Sequence, residues 1–322
     1  MNRLVAAGFL VTFWVLVSSW GFHAHRTVTR MAVFTLPPDM AGFYKRHLDY
    51  LTEVSVNPDR RRYADPDEGP RHFIDVEHYG DSALQRLPRF YAEAEKAMTH
   101  DSLNAGGRLP WHIQVMYFRL REAFLLRDPE KILRLSGELG HYIADAHVPL
   151  HTTENYNGQL TGQEGVHAFW ESRLPELFSA EYNYMTGKAE LEHNPVGRAW
   201  AIVSESNRLV DSVLAADKAL ALEKGNARYN YETRGKQTVR VISVQYAKEY
   251  HRRLRGMVER RMRGTVKTTS DFWYTAWVEA GQPDLKALID YQPTAEELER
   301  RKAELAEWRK GNQQSRESQE EH

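Results

Sequence analysis

The chain has 322 residues, 42% of them hydrophobic, and a formal net charge of −1. That length buries a substantial core as one large domain or two small ones, and the balanced charge supplies no overall basic field for nucleic acid. Cysteine is absent, which excludes disulfides, thiolate zinc sites and a cysteine nucleophile together.

Residues 1–19 read as a secretory signal, with an uncleaved anchor as the alternative. Arg3 supplies the positive end, Leu4 to Val17 the apolar stretch, and Val17-Ser18-Ser19 the small residues of a cleavage site. The apolar stretch is shorter than the roughly 20 residues a membrane span requires. Cleavage after Ser19 leaves Trp20 as the new N-terminus and no transmembrane anchor, so the expected location is secreted or periplasmic.

Beyond Trp20, apolar spacing predicts helices over 27–36, stopped by Pro37-Pro38, and over 40–51. The polar run VNPDRRRYADPDEGPRHFIDVEHYG reads as an ordered loop. It is dense in possible ligands: Asp59, Asp65, Asp67, His72, Asp75, Glu77 and His78. Helical patterns return over 82–99 and 111–126, and Pro129 sits where a first-turn proline opens the next helix. Further helices are expected over 195–221 and 236–280, with Trp273, Tyr274 and Trp277 as a core stripe. No alternating strand run of useful length is seen, so the expected fold class is all-α, a single multi-helix domain over 20–292. Residues 293–322 are charged with little apolar face and read as a solvated helix fading into a disordered tail.

Chemistry concentrates in GHYIADAHVPLHTTENYNGQLTGQEGVHAFWE, Gly140 to Glu171. It holds His141-x-x-x-Asp145 and His167-x-x-x-Glu171, with His151 between them. Residues four apart on a helix lie one above the other, so each pair aims an imidazole and a carboxylate at one spot. These are the ligands Zn²⁺ takes where no thiolate is available. One such pair alone is ordinarily a surface ion pair or a satisfied buried histidine. Two pairs in one short segment, with a fifth donor between them, favour a metal centre. Pro149 ends or kinks the first helix and brings His151 in on its own approach, and the Asn/Gly-rich run 155–165 lets the chain return. GxxxxGK[ST], GxGxxG and GxSxG are all missing, which removes the nucleotide-loop and serine-hydrolase readings.

Read together, the donors resemble a known family. Trp20-Gly21 with His25, Asp59-x-x-Arg62, the His72-Phe-Ile-Asp75 run, His141-x-x-x-Asp145-x-x-x-Pro149-Leu150-His151 and His167-x-x-x-Glu171 follow one another in the order of the zinc-dependent phospholipase C / S1-P1 nuclease superfamily. The likeness spans roughly 20–280. It implies an all-α domain with three Zn²⁺ ions at the bottom of a cleft. Carried over by position, Asp59, His72, His141 and Asp145 hold one zinc, and His151, His167 and Glu171 a second. The third falls to His25, the amino group and carbonyl of Trp20, and a bridging Asp145. Asp59 is preferred to Asp65 by its D-x-x-R context, and it doubles as a candidate for taking the proton of the attacking water. Asp75 is expected to orient a ligand histidine. His147 is expected beside the site or on the surface, and His23 at the exposed N-terminus. The Trp20 amine exists only once Ser19 has been removed, which ties a complete site to export.

The implied activity is hydrolysis of a phosphodiester by metal-activated hydroxide, phospholipase C-like, on a phospholipid headgroup. The alternative within the family is an S1/P1-type nuclease cleaving single-stranded nucleic acid or 3′-nucleotides. D-x-x-R, HFID and the Trp200 segment lean to the nuclease side; H-x-x-x-E and the short His151–His167 spacing lean to the lipase side. His23 and Arg60 stand where choline-lipid enzymes carry an acid and a tyrosine. The competing class is a zinc-stapled, non-catalytic binding domain, in which every metal would be coordinatively closed. No stable protein partner is inferred.

Overall fold

The computed structural model describes residues 21–234 and 237–320. Residues 1–20, and with them the signal segment and Trp20, lie outside the described residues. The described chain is mostly helical, as expected, with one β-hairpin.

Helix α1 runs Gly21–Val33, ahead of and shorter at its end than the expected 27–36. The stretch expected as one helix is divided into α2 (Pro38–Arg46) and α3 (Leu48–Val54). Pro38 opens α2 because its missing N–H lies among those a first turn leaves unbonded anyway. The ligand-rich loop holds the five-residue α4, Asn57–Arg61, and two 3₁₀ turns, Gly69–Arg71 and Val76–Tyr79. Three short helices follow: α5 (Ala83–Arg86), α6 (Tyr91–Ala97) and α7 (His100–Ala105).

The centre is built by α8 (Leu109–Leu125) and α9 (Pro129–His147). Asp128 caps α9 by accepting from Lys131 N–H at 3.0 Å, and the helix ends two residues before Pro149. Nearly every turn of α9 is buried, which is unusual for a helix carrying Glu138, His141, Asp145 and His147. Gly137 lets α3 come that close: a Cβ there would stand 2.6 Å from Val54 and 2.9 Å from the Leu51 carbonyl. The helix therefore meets the backbone of α3 directly, and His141, one turn later, reaches its end.

After a 3₁₀ turn at Pro149–Thr152 and the expected loop come α10 (Val166–Ala168), a π turn (Phe169–Arg173) and α11 (Leu174–Phe178). The expected 195–221 helix is two, α12 (Pro195–Asn207) and α13 (Val210–Lys224).

The expected 236–280 helix is corrected. It opens as strand β2 (Gln237–Ile242), paired antiparallel with β1 (Tyr229–Arg234), then becomes α14 (Val244–Arg253) and α15 (Met257–Glu279). Alternation in Thr-Val-Arg-Val-Ile buries Val239 and Val241 while Thr238 and Arg240 stay exposed, a period of two too short to stand out from the helical background. Arg255 and Gly256, both at positive φ, separate α14 from α15. Helices α1, α8, α9 and α15 pack together around Trp111, Phe124, Tyr142 and Trp273, all fully buried. The last helix, α16 (Ala295–Glu320), lies against α4, and Trp308 on it is only 8% exposed. The helix is thus largely exposed, as expected, but packed near its middle at Trp308.

Candidate metal centre

Helix α9 supplies the floor of the site. The Ser55 carbonyl can only accept, so His141 Nδ1, 2.9 Å away, carries the proton. Neutral His141 then presents a lone pair at Nε2, and that nitrogen lies 3.3 Å from Asp145 Oδ2, 3.9 Å from Asp59 Oδ1 and 3.1 Å from His72 Nδ1. His72 Nδ1 is itself 3.0 Å from Asp145 Oδ2 and 3.9 Å from Asp59 Oδ1. Lone pairs of two imidazoles and two carboxylates thus face one another. Such an arrangement repels itself unless a proton or a cation sits among them.

The second device repeats the logic. The Tyr156 carbonyl, 3.3 Å from His167 Nδ1, turns Nε2 toward Glu171 Oε2 at 2.8 Å. His151 Nε2 stands 3.4 Å from the same oxygen, delivered by the turn that Pro149 begins. Glu171 lies in the π turn, a geometry that is rare in helices and gathers at functional sites. His25, from α1, connects the two halves: its Nε2 is 3.5 Å from Asp145 Oδ1 and 3.4 Å from Glu171 Oε1, and its ring stacks on His141.

Three groups of donor atoms result, each within 4.8 Å of one another: His25, His141 and Asp145; Asp59, His72 and His141; His151, His167 and Glu171. Eight of the nine residues expected to hold metal are therefore brought together, and the ninth, Trp20, lies outside the described residues. His141 belongs to two groups, but with Nδ1 committed to Ser55 its one free nitrogen serves one ion. The donors fit a cation. His25 Nδ1 and His151 Nε2 are buried without a hydrogen-bond partner, and the donor set is the nitrogen and oxygen mixture zinc accepts.

The charges describe the same crowding. Burial alone would lower the pKa of His25, but the Glu171 hydrogen bond and the Asp145 and Asp59 charges overcome it and raise it to about 9. His72 behaves likewise: burial opposes, Asp145 and Glu68 prevail, and the value rises to about 9. Against the desolvation of burial, histidines hold Asp145 and Glu171 well below the usual carboxylate range. A raised folded value means stability that is complete below the unfolded imidazole pKa of about 6.5 and is lost as pH climbs through 9. Chelator-stripped protein is accordingly expected to show a falling Tm between pH 6.5 and 9, with zinc-loaded protein falling less. A flat Tm over that window in the stripped protein would contradict these pairings.

Other expected residues are placed differently. Asp65 pairs with Arg71 at 3.1 Å and accepts from the Asp67 N–H, while Asp59 faces the histidines. The Asp75 carboxylate makes no hydrogen bond to a histidine among the described residues; only its backbone carbonyl does, accepting from the His78 N–H at 3.0 Å. Burial, with Glu77 and Glu154 nearby, pushes its carboxyl up to about 7. His147 is buried rather than superficial; its Nδ1 donates to the Ile143 carbonyl at 2.8 Å. His23 is exposed, as expected, within 2.9 Å of Ser179 Oγ.

A carboxylate beside a donor histidine is found instead at Glu68. This carboxylate is fully buried and lies 3.3 Å from His72 Nε2, which leaves Nδ1 to the site. Arg61 and Arg71 donate to it at 2.7 and 2.6 Å, and Tyr142 hydroxyl donates as well. Burial opposes its ionisation, yet His72 and then Arg61 hold its pKa far below the usual carboxylate range. Glu68-x-x-x-His72 has the same four-residue spacing as the other two pairs, running in the opposite sense. That spacing was the available signal, hidden in a segment whose Gly69 and Pro70 read as loop. No family model matches this chain, and no curated protein matches it.

Proposed function

We propose that this chain is a zinc-dependent phosphodiesterase of the phospholipase C / S1-P1 nuclease type. The observation that carries the reading is the convergence of three groups of imidazole and carboxylate donors, drawn from six separate segments of the chain. Asp59, His72, His141 and Asp145 would hold one ion, and His151, His167 and Glu171 a second. A third falls to His25 and Asp145, with the Trp20 amine. When bound, paired zinc ions lower the pKa of water and polarise a phosphoryl oxygen, which is the chemistry phosphodiester hydrolysis requires at neutral pH.

The protein's own residues supply the rest. Asp145, buried, and Glu171, mostly shielded from solvent, are negative and fix cations where five imidazoles converge. The Ser55 and Tyr156 carbonyls set the tautomer of two histidines, and the Glu68 carboxylate lies 3.3 Å from Nε2 of a third, so donor atoms are arranged before any ligand arrives. Asp59, with 23% of its side chain exposed, is the most open of the three carboxylates. It is the one placed to accept a proton from the solvent side.

Phospholipase C-like hydrolysis is the first substrate reading. The loop over the His151–His167 group exposes Tyr156 and Leu160, at 52% and 69%, as an apolar rim suited to a lipid. Single-strand nuclease activity is the second, favoured by the Tyr156 ring standing 6.1 Å from the His167 ring, where a base can stack. No helix among the described residues is long and apolar enough to cross a membrane. We place the protein outside the cytoplasm on the signal segment.

The test is metal analysis of purified protein with turnover of short-chain phospholipid beside single-stranded RNA and DNA. Headgroup release establishes the first reading and chain cleavage the second. Zinc bound without turnover of either class would leave the stapled binding domain.

A further inference from the structure

The charged C-terminal helix reaches back to the edge of the candidate metal centre. Glu304 Oε1 on α16 lies 3.0 Å from Arg134 Nη1 on α9. Arg134 Nε meets Glu138 Oε1 at 3.2 Å, and Glu138 meets Arg61 Nη1 of α4 at 2.9 Å. Arg61 Nε donates to Glu68 Oε2 at 2.7 Å, and Glu68 stands 3.3 Å from His72 Nε2. Six side chains of alternating character thus run without a break from the protein's last helix to a metal donor. The outer two side chains are about a quarter exposed, and the four beyond them 12% or less.

Packing supplies a second connection. Gly311 lies on the turn that follows α4, where a Cβ would stand 2.8 Å from Ala64 Cβ and 2.9 Å from the Tyr63 carbonyl. Trp308 is buried one turn earlier, and Arg300 pairs with Glu130 of α9 at 3.0 Å. Helix α4 has five residues, too few to hold its shape alone, and it carries Asp59. It contacts both α9 and α16.

We propose that α16 is a positioning element for Asp59 and His72, acting through α4: Trp308 and Gly311 by packing, Glu304 and Arg134 through the ion-pair chain. This rests on the reading that these donors hold zinc. The outer pair, about a quarter exposed, is weak by itself. The packing at Gly311 and the buried Arg61–Glu68–Glu138 cluster carry most of the effect. Losing the helix removes the α16 contacts from α4 and loosens one donor group while the His151, His167 and Glu171 group keeps its own supports.

The experiment is calorimetric titration with Zn²⁺ of the chelator-stripped full chain, of Gly311→Val, and of a chain ending at Gln292. His167→Ala, titrated alongside, identifies the class of ions that belongs to the other group. Expected is at least a ten-fold weaker affinity for one class in Gly311→Val and in the shortened chain, with the His167-dependent class unchanged. If the shortened chain loses its helical circular dichroism, Gly311→Val decides, since it keeps α16. Unchanged affinity for every class in Gly311→Val, or equal weakening of all classes, overturns the proposal. A wild type that takes up no zinc overturns the metal reading itself, and this proposal with it; a wild type and Gly311→Val that bind equally well overturn this proposal alone.

Discussion

Asp145→Asn is expected to lose at least about 100-fold of phosphodiester hydrolysis and to retain fewer zinc ions than the wild type. Residues that merely orient a metal ligand already cost roughly 10–100-fold when removed, which sets a floor for the ligand itself. Asp145 has more at stake than any other donor. Its two oxygens lie 3.0 Å from His72, 3.3 Å from His141, 3.5 Å from His25 and 3.9 Å from His151. Asparagine keeps the shape and removes the charge around which four imidazoles are gathered. Metal analysis of the purified variant and turnover of the wild-type substrate check both parts. A full zinc complement with undiminished activity would show that Asp145 is an ordinary buried acid.

Glu68→Gln is expected to lower the stability of the metal-free protein by about 3 kcal/mol, the lower end of the range for breaking a buried ion pair from one side. The lower end applies because Arg61, left behind, still has Glu138 at 2.9 Å. Glutamine can still accept from Tyr142 or Arg71, but it cannot neutralise the two guanidinium groups that now point at it. Urea unfolding in the presence of chelator measures the loss without contributions from bound metal. A change within about 0.5 kcal/mol, the scale of an ordinary surface substitution, would mean that Glu68 is not what fixes this corner. Its zinc affinity should fall too, because His72 Nε2 loses its anionic neighbour.

Those two residues were unequally visible in the chain. Asp145 stood out because a four-residue spacing is a local property: wherever α9 goes, His141 and Asp145 share a face. The same holds for His167 with Glu171 and for Pro129 and Pro149 as the punctuation of these helices. Glu68 has that spacing to His72 as well, but it lies across two 3₁₀ and turn segments where no helical face exists to be read. The β-hairpin was missed for a related reason, since its alternation is confined to six residues per strand.

The sequence by itself determined the helical character of the chain, the donor types, and the pairing of His141 with Asp145 and of His167 with Glu171 one turn away, because side-chain direction along a helix follows from backbone periodicity alone. Only the tertiary structure decided that His25 of α1 and Asp59 of α4 meet the histidines of α9, that Glu68 rather than Asp75 attends His72, and that the C-terminal helix is packed against α4. The physical reason is that such contacts join residues far apart in the chain, 170 positions for Glu304 and Arg134, and their geometry is set by how closely helices approach. At Gly137 and Gly311 that approach depends on a missing Cβ, whose consequence appears only when the opposing backbone is in place.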